Sequence, residues 1–164
     1  MAIQDEVILS NKVVDEIEMW LKRFPEDQRR SAVIPALMAV QKDNKGWLTE
    51  ELVSAVADYL GIARVAAMEV ATFYSMFELE PVGRHKISIC TNVSCMLCGS
   101  NEVVEHLKSK LKVDFGETTA DGKFTLKEVE CLAACGGAPA MQLNDDYYEN
   151  LTPAKLDKIL AELE

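Results

Sequence analysis

The sequence is short of basic residues. Lysine and arginine together number 17, against 27 aspartates and glutamates, so the formal net charge is −10 over 164 residues. Nucleic-acid binding needs a basic surface that neutralises phosphates, and anionic membranes attract basic segments. The composition therefore argues against a nucleic-acid-binding protein and against docking on anionic lipid.

Long hydrophobic runs and nucleotide-binding motifs are also missing. No apolar stretch approaches the ~18 residues that a membrane span needs. The first residues, Met1 to Glu6, contain no basic region followed by an apolar one, so we expect no secretory signal and a reducing, cytoplasmic compartment. Neither Gly-x-Gly-x-x-Gly nor a P-loop occurs. We therefore expect no dinucleotide-binding site on this chain.

Cysteine is absent from the first half of the chain, where apolar residues recur at helical spacing. Thr49 is predicted to cap one helix that Gly61 closes, and Pro35 is expected to kink or interrupt another. We find no catalytic constellation there. Four helices joined by short loops predict a small four-helix bundle. The predicted segments are Asn11 to Phe24, Pro25 to Val40, Thr49 to Gly61 and Ala63 to Phe77.

Pro81-Val82-Gly83 marks a boundary, which predicts a helical domain over 1–80 and a second domain over 81–164. The second half mixes strand and helix patterns, with a turn expected at Asn144-Asp145-Asp146. This order predicts a small α/β sheet domain, and hence an α+β protein. The predicted strands are Lys86 to Cys90, Phe124 to Glu130 and Ala140 to Leu143, and the predicted helices are Glu102 to Leu111 and Thr152 to Leu163.

All five cysteines lie in this second half, in two groups at strand ends: Cys90-x4-Cys95-x2-Cys98 and Cys131-x3-Cys135. Cysteines in a reducing compartment are more often metal ligands or reactive thiols than disulfides. Glycines follow both groups. We expect them to allow positive φ or a close approach of backbone N–H groups, which stabilise a negatively charged metal–sulfur site.

Four thiolates in two pairs can hold one zinc ion or one iron–sulfur cluster. Zinc sites usually place two residues between paired cysteines, whereas the intervals here are four and three, which favours a [2Fe–2S] cluster. Such a cluster is anionic, so an acidic protein should give it a low reduction potential. A structural zinc scaffold remains the alternative. The spacing also matches plant-type ferredoxins, in which case Cys98 is a ligand and Cys131 or Cys135 is spare.

The sequence resembles the 24 kDa-type subunits of NADH:quinone oxidoreductase, respiratory complex I, of the thioredoxin-like [2Fe–2S] ferredoxin family. The resemblance runs from about residue 10 to the C-terminus. The stretches that carry it are Glu69-Val-Ala-Thr-Phe-Tyr-Ser-Met-Phe77, Pro81-Val-Gly-Arg84, Cys90-Thr-Asn-Val-Ser-Cys-Met-Leu97, Gly116-Glu-Thr-Thr119, Asp121-Gly-Lys-Phe-Thr125, Glu130-Cys-Leu-Ala-Ala-Cys135, Ala138-Pro139, Asn144-Asp-Asp-Tyr-Tyr148 and Leu151-Thr-Pro153.

This resemblance implies a thioredoxin-like second domain after the helical bundle. It implies that one [2Fe–2S] cluster is bound by Cys90, Cys95, Cys131 and Cys135, with one pair of cysteines on each iron. Cys98 departs from the family, which often has arginine there, so it is expected to be a nearby non-ligand thiol or a substitute ligand. Gly136-Gly137 also differs from the commoner sequences.

The resemblance further implies a function and an assembly. The chain would be an electron-transfer subunit beside a flavoprotein that binds FMN and NADH, within the peripheral arm of a bacterial complex I. It would thus lie on the cytoplasmic side of the inner membrane and would not oxidise NADH alone. Related subunits serve NAD(P)-linked hydrogenases and formate dehydrogenases, which are the alternative host complexes.

Overall fold

The computed structural model describes residues 9–163. The acidic stretch from Met1 to Glu6, on which the expectation about a secretory signal rests, lies outside this range. The chain divides into two compact units, with the division between Pro81 and Val82. Within the described range, no helix combines the length and the apolar character needed to span a membrane.

Helices form the first unit. Ser10 caps α1, since its Oγ accepts a hydrogen bond from Val13 N at 3.3 Å. Thr49 caps α3 in the predicted way, with Oγ1 accepting from Leu52 N at 3.2 Å, and Gly61 ends that helix at φ 70°. The helices are α1 (Asn11–Leu21), a 3₁₀ segment (Glu26–Ala32), α2 (Val33–Asp43), α3 (Glu50–Leu60) and α4 (Arg64–Phe73).

The predicted second helix is split rather than kinked at Pro35. A 3₁₀ segment with non-helical backbone at Gln28 comes first, and α2 begins at Val33. Pro35 therefore lies in the first turn of α2, where a backbone N–H has no helical acceptor and proline costs little.

The predicted fourth helix is too long by four residues. It ends at Phe73, and Tyr74 is extended at φ −89°, ψ 122°. The chain then turns back, so that Phe77 is buried and the carbonyl of Glu78 accepts a hydrogen bond from Leu48 N at 2.7 Å. Burial of Phe77 in the helical core is the physical reason for the early end.

The core of the first unit forms where α2 packs against α1, α3 and α4. Ile17, Leu37 and Val53 are fully buried in it. Burying a side chain of this size contributes about 1.5–3 kcal/mol, so the apolar stripes seen in the sequence hold these helices together.

The second unit is a four-stranded sheet with helices, in the strand order β2-β1-β3-β4. β1 and β2 are parallel, while β1–β3 and β3–β4 are antiparallel. Ile87, Leu126 and Leu107 are buried between the sheet and its helices. The elements are β1 (His85–Cys90), α5 (Val93–Leu97), α6 (Ser100–Leu111), β2 (Phe124–Val129), a 3₁₀ turn (Cys135–Gly137), β3 (Met141–Leu143), β4 (Asp146–Tyr148) and α7 (Pro153–Glu162).

Three of these elements differ from the prediction. α6 starts at Ser100, two residues before the predicted Glu102, and α5 was not predicted at all. The predicted turn at Asn144 is present, with φ 53°, but it joins a hairpin whose second strand, β4, begins at Asp146. Both missed elements are short, with five and three residues respectively, so their sequences carry too little periodicity to detect.

Candidate metal centre

The sheet brings the two cysteine groups to one edge. Cys90 is the last residue of β1 and lies opposite Val129, the last residue of β2. The pairing continues one step further, since Thr91 N donates to the Val129 carbonyl at 3.3 Å. Because parallel strands end at the same edge, Cys131, two residues beyond Val129, follows the neighbouring strand end.

The first cysteine group is held by regular structure. Cys90 and Cys95 are only 3% and 2% exposed, and with Ala140 they form a small buried cluster. Cys95 lies in α5, for which Asn92 is the N-cap. The Cys90 Sγ contacts the Glu130 carbonyl at 3.6 Å, as a thiol donor would. The end of β1 is thereby tied to the start of the second cysteine group.

The electrostatics of Cys95 reflect its neighbours. Burial raises the pKa of the Cys95 thiol, because the thiolate is less well solvated there. A backbone hydrogen bond with Ala140 works in the opposite direction. The side chains of Cys90 and Cys135 raise the pKa further. Several thiolates placed close together would need a bound cation to stabilise them.

The second cysteine group lies in an irregular loop. Cys131 and Cys135 are both exposed. Ala133 adopts a left-handed backbone at φ 55°, and its N–H donates to the Cys131 Sγ at 3.3 Å. Backbone N–H donors of this kind stabilise the negative charge on a sulfur ligand.

The glycines after Cys135 do not play the expected role. Positive φ in this loop falls on Ala133, while Gly136 and Gly137 are not among the positive-φ residues. Gly137 is buried and lies against the side chain of Glu149 instead, whereas a Cβ at Gly136 would meet open space. The close approach at Gly137 is thus to a side chain, whereas the expected approach was of backbone N–H groups to the metal–sulfur site.

Cys98 is the fifth thiol and is exposed at the C-terminal end of α5. Its backbone N–H donates to the carbonyls of Ser94 and Cys95 at 3.2 and 3.1 Å. All five cysteines are free thiols. Across residues 9–163, no three histidine, cysteine or acidic side chains are arranged to hold a metal ion.

The histidines have ordinary structural roles. His106 is half-buried, and its Nε2 lies 2.9 Å from Asp157 Oδ1 of α7. The His85 ring lies 5.5 Å from the Phe124 ring. His106 thus pairs with a carboxylate on a neighbouring helix, and His85 packs against an aromatic ring.

An apolar rim borders the first cysteine group. Val93, Met96 and Leu97 of α5 are 56%, 45% and 79% exposed. Sequence reasoning missed this rim because α5 was not predicted. Contiguous exposed apolar side chains are typical of surfaces that meet a partner protein.

The donor chemistry of this edge fits an iron–sulfur cluster. Two pairs of uncombined thiols follow two adjacent parallel strands, and one sulfur accepts a backbone N–H bond. The family model for the thioredoxin-like [2Fe–2S] ferredoxins matches residues 17–164. The chain therefore belongs to the thioredoxin-like [2Fe–2S] ferredoxin family.

Two similar proteins are subunits of the same kind of enzyme complex. The chain is 51% identical over 146 residues to a subunit of the NADH-quinone oxidoreductase of Rhizobium meliloti, covering 89% of this chain and 85% of that protein. It is 46% identical over 145 residues to the corresponding NADH-quinone oxidoreductase subunit of Rickettsia typhi, covering 88% of this chain and 85% of that one.

A solved structure supports the fold alone. An NAD⁺-reducing [NiFe]-hydrogenase in its air-oxidised state has a chain that matches with a TM-score of 0.65 at 21% identity. The match covers 77% of this chain and 22% of the hydrogenase chain.

Proposed function

We propose that this chain is an electron-transfer subunit of an NADH:quinone oxidoreductase and carries one [2Fe–2S] cluster. The observation that carries this proposal is that two groups of free cysteines follow the ends of adjacent parallel strands, β1 and β2. The relatives from Rhizobium and Rickettsia are subunits of NADH-quinone oxidoreductases, which supports the host assembly.

The proposed ligands are Cys90, Cys95, Cys131 and Cys135, one pair from each loop. The contact of Cys90 with the Glu130 carbonyl links the two loops, because Cys131 follows Glu130 directly. Cys98 is assigned as a non-ligand thiol. The plant-type alternative would use Cys98 and leave Cys131 or Cys135 spare, although both of these follow the β2 end.

Bound by these thiolates, the cluster would accept and return single electrons. The chain's own residues would shield the cluster from water and stabilise its negative charge. Burial of Cys90 and Cys95 keeps water away from one side of the site, and the N–H of Ala133 offsets charge on Cys131. Because few such donors act against a net charge of −10, the reduction potential is expected to be low.

The proposed electron partner is a flavoprotein that binds FMN and NADH, since this sequence has no dinucleotide-binding motif. Its docking site is proposed to be the apolar rim on α5, which lies beside Cys95. The helical unit over 1–80 is proposed to act as a four-helix bundle that contacts other peripheral-arm subunits. Through these subunits the chain would lie on the cytoplasmic side of a bacterial inner membrane.

Metal analysis of the purified chain tests the cluster. We expect reddish-brown protein with two irons and two labile sulfides per chain, and no NADH oxidation by the chain alone. Colourless protein with one zinc would support a structural scaffold instead and contradict the proposal.

Co-purification from native cells tests the host complex. Recovery with a quinone-reducing membrane complex supports the proposal. Recovery with a nickel-containing or molybdenum-containing subunit would assign the chain to a hydrogenase or a formate dehydrogenase.

A further inference from the structure

Glu149 packs next to the second cysteine group, although the two are far apart in the sequence. It follows β4 directly and lies across Gly137, two residues after Cys135. A Cβ built on Gly137 would lie 2.5 Å from Glu149 Cδ and 2.6 Å from Glu149 Cβ. The acidic side chain therefore covers the backbone of the turn that follows the last cysteine.

The backbone around this contact is fixed on both sides. Asn150 N donates to the Gly137 carbonyl at 2.6 Å, and Leu151 N donates to the Pro139 carbonyl at 3.0 Å. The Lys155 ammonium group also bonds the Glu149 carbonyl. Glu149 cannot make room for a Cβ on Gly137 by turning the end of its side chain, because its own Cβ would also lie too close and its backbone is held.

The contact also places a carboxylate near the cysteine loop. Consecutive Cα atoms are 3.8 Å apart, so the Cα of Gly137 lies within about 7.6 Å of the Cα of Cys135. A negative charge beside this loop disfavours the addition of an electron to an anionic centre.

We propose that Glu149 is a positioning residue for the Cys131–Cys135 loop, which packs across Gly137 and whose carboxylate lowers the reduction potential of the cluster held there. The effect on the reduction potential rests on the proposed function. The packing role concerns only residues of this chain.

The packing is tested by a pair of glycine substitutions. Gly137→Ala should lower the melting temperature and at least halve the iron content, whereas Gly136→Ala should leave both near wild type, because its Cβ would meet nothing within 4 Å. Gly137→Ala combined with Glu149→Gly should recover iron, since the second change removes the opposing Cβ. Equal behaviour of the two single variants, or no recovery in the double variant, would overturn the packing role.

The charge is tested by redox titration of Glu149→Gln, which keeps the shape and removes the charge. Glu149 is exposed, so at a fixed ambient potential the reduced-to-oxidised ratio should rise about twofold, the effect of one charge roughly 8 Å away under water-like screening. Asp146→Asn is the matched control: Asp146 is exposed like Glu149 and begins β4, the strand that Glu149 follows, about 10 Å from Glu149 along the chain. It should give a smaller rise.

The outcomes separate this inference from the proposed function. An unchanged ratio in Glu149→Gln, or an equal rise in Asp146→Asn, would overturn the electrostatic role while leaving the cluster in place. A wild-type chain without iron would overturn the proposed function, and with it the electrostatic role, while the melting temperatures of the glycine variants would still decide the packing.

Discussion

The two cysteine loops of the sheet unit are built in contrasting ways. The first places Cys90 in a strand and Cys95 in a helix, both buried, while the second places Cys131 and Cys135 in an exposed irregular loop. The first loop is therefore part of the folded core, and the second is shaped by local backbone bonds and by its contact with Glu149. The difference teaches that four cysteines with the same proposed role as ligands need not be equivalent for folding.

The largest expected effect is on cluster binding and concerns the two cysteines of the second loop. Cys131→Ser or Cys135→Ser should each lose or deform the visible spectrum, by more than the roughly 10–100-fold loss of affinity that follows removal of a ligand's hydrogen-bond partner. Cys98→Ser is the control and should keep the spectrum. An unaltered cluster in both downstream variants would contradict the ligand assignment.

The next effect is a difference between the loops in how much each cysteine contributes to the free energy of unfolding. In metal-free protein, Cys95→Ser should lower the free energy of unfolding by about 1–3 kcal/mol, because the buried site holds a hydroxyl less well than a thiol. Cys131→Ser should change it by less than about 0.5 kcal/mol, as expected of an exposed position. Urea denaturation of both variants measures the difference, and equal losses would show that the loops do not differ in this way.

A third effect concerns partner binding and should be confined to the first loop. Leu97→Glu should reduce co-purification with the flavoprotein about tenfold, because it puts a charge into a surface that becomes buried. Leu97→Met keeps the surface apolar and should bind normally. Both variants should keep their visible spectra. If Leu97→Glu binds like wild type, the rim on α5 is not the docking site.

Much of the fold could be predicted from the sequence, but not all of it. The helical stripes, the cap at Thr49 and the β1 strand depend on local sequence patterns, and the structure confirms these elements. The order β1-α6-β2 also led to the correct expectation of a small α/β unit. Which cysteines are ligands rested on a family resemblance, and that assignment stays a prediction.

What the sequence did not reveal depends on contacts between distant residues. The burial of Phe77, which ends α4 early, and the contact between Gly137 and Glu149 join residues that no local pattern connects. The positive φ at Ala133 was missed for a related reason, since alanine rarely adopts it and glycine was the natural expectation.

The smallest expected effect lies outside both loops, at the α6–α7 surface. Hydrogen bonds from Lys110 and then His106 lower the pKa of Asp157. A carboxylate with a lowered pKa contributes stability above its unfolded value of 3.8, and this stability is lost as the pH falls through the folded value.

Asp157→Asn should therefore reduce the melting temperature slightly at pH 7, and the difference from wild type should shrink below about pH 4. The iron content should not change. Thermal melts at both pH values provide the check. A constant difference across this range would mean that the ionised carboxylate is not responsible.

Low-temperature electron paramagnetic resonance of the reduced protein, with iron counted in the same sample, tests the central claim most directly. We predict the signal of a single [2Fe–2S] centre, with close to one unpaired spin for every two irons and two irons per chain. A sample without that signal, with iron far from two per chain or with zinc in its place, would contradict the claim that two cysteine pairs hold one diiron cluster.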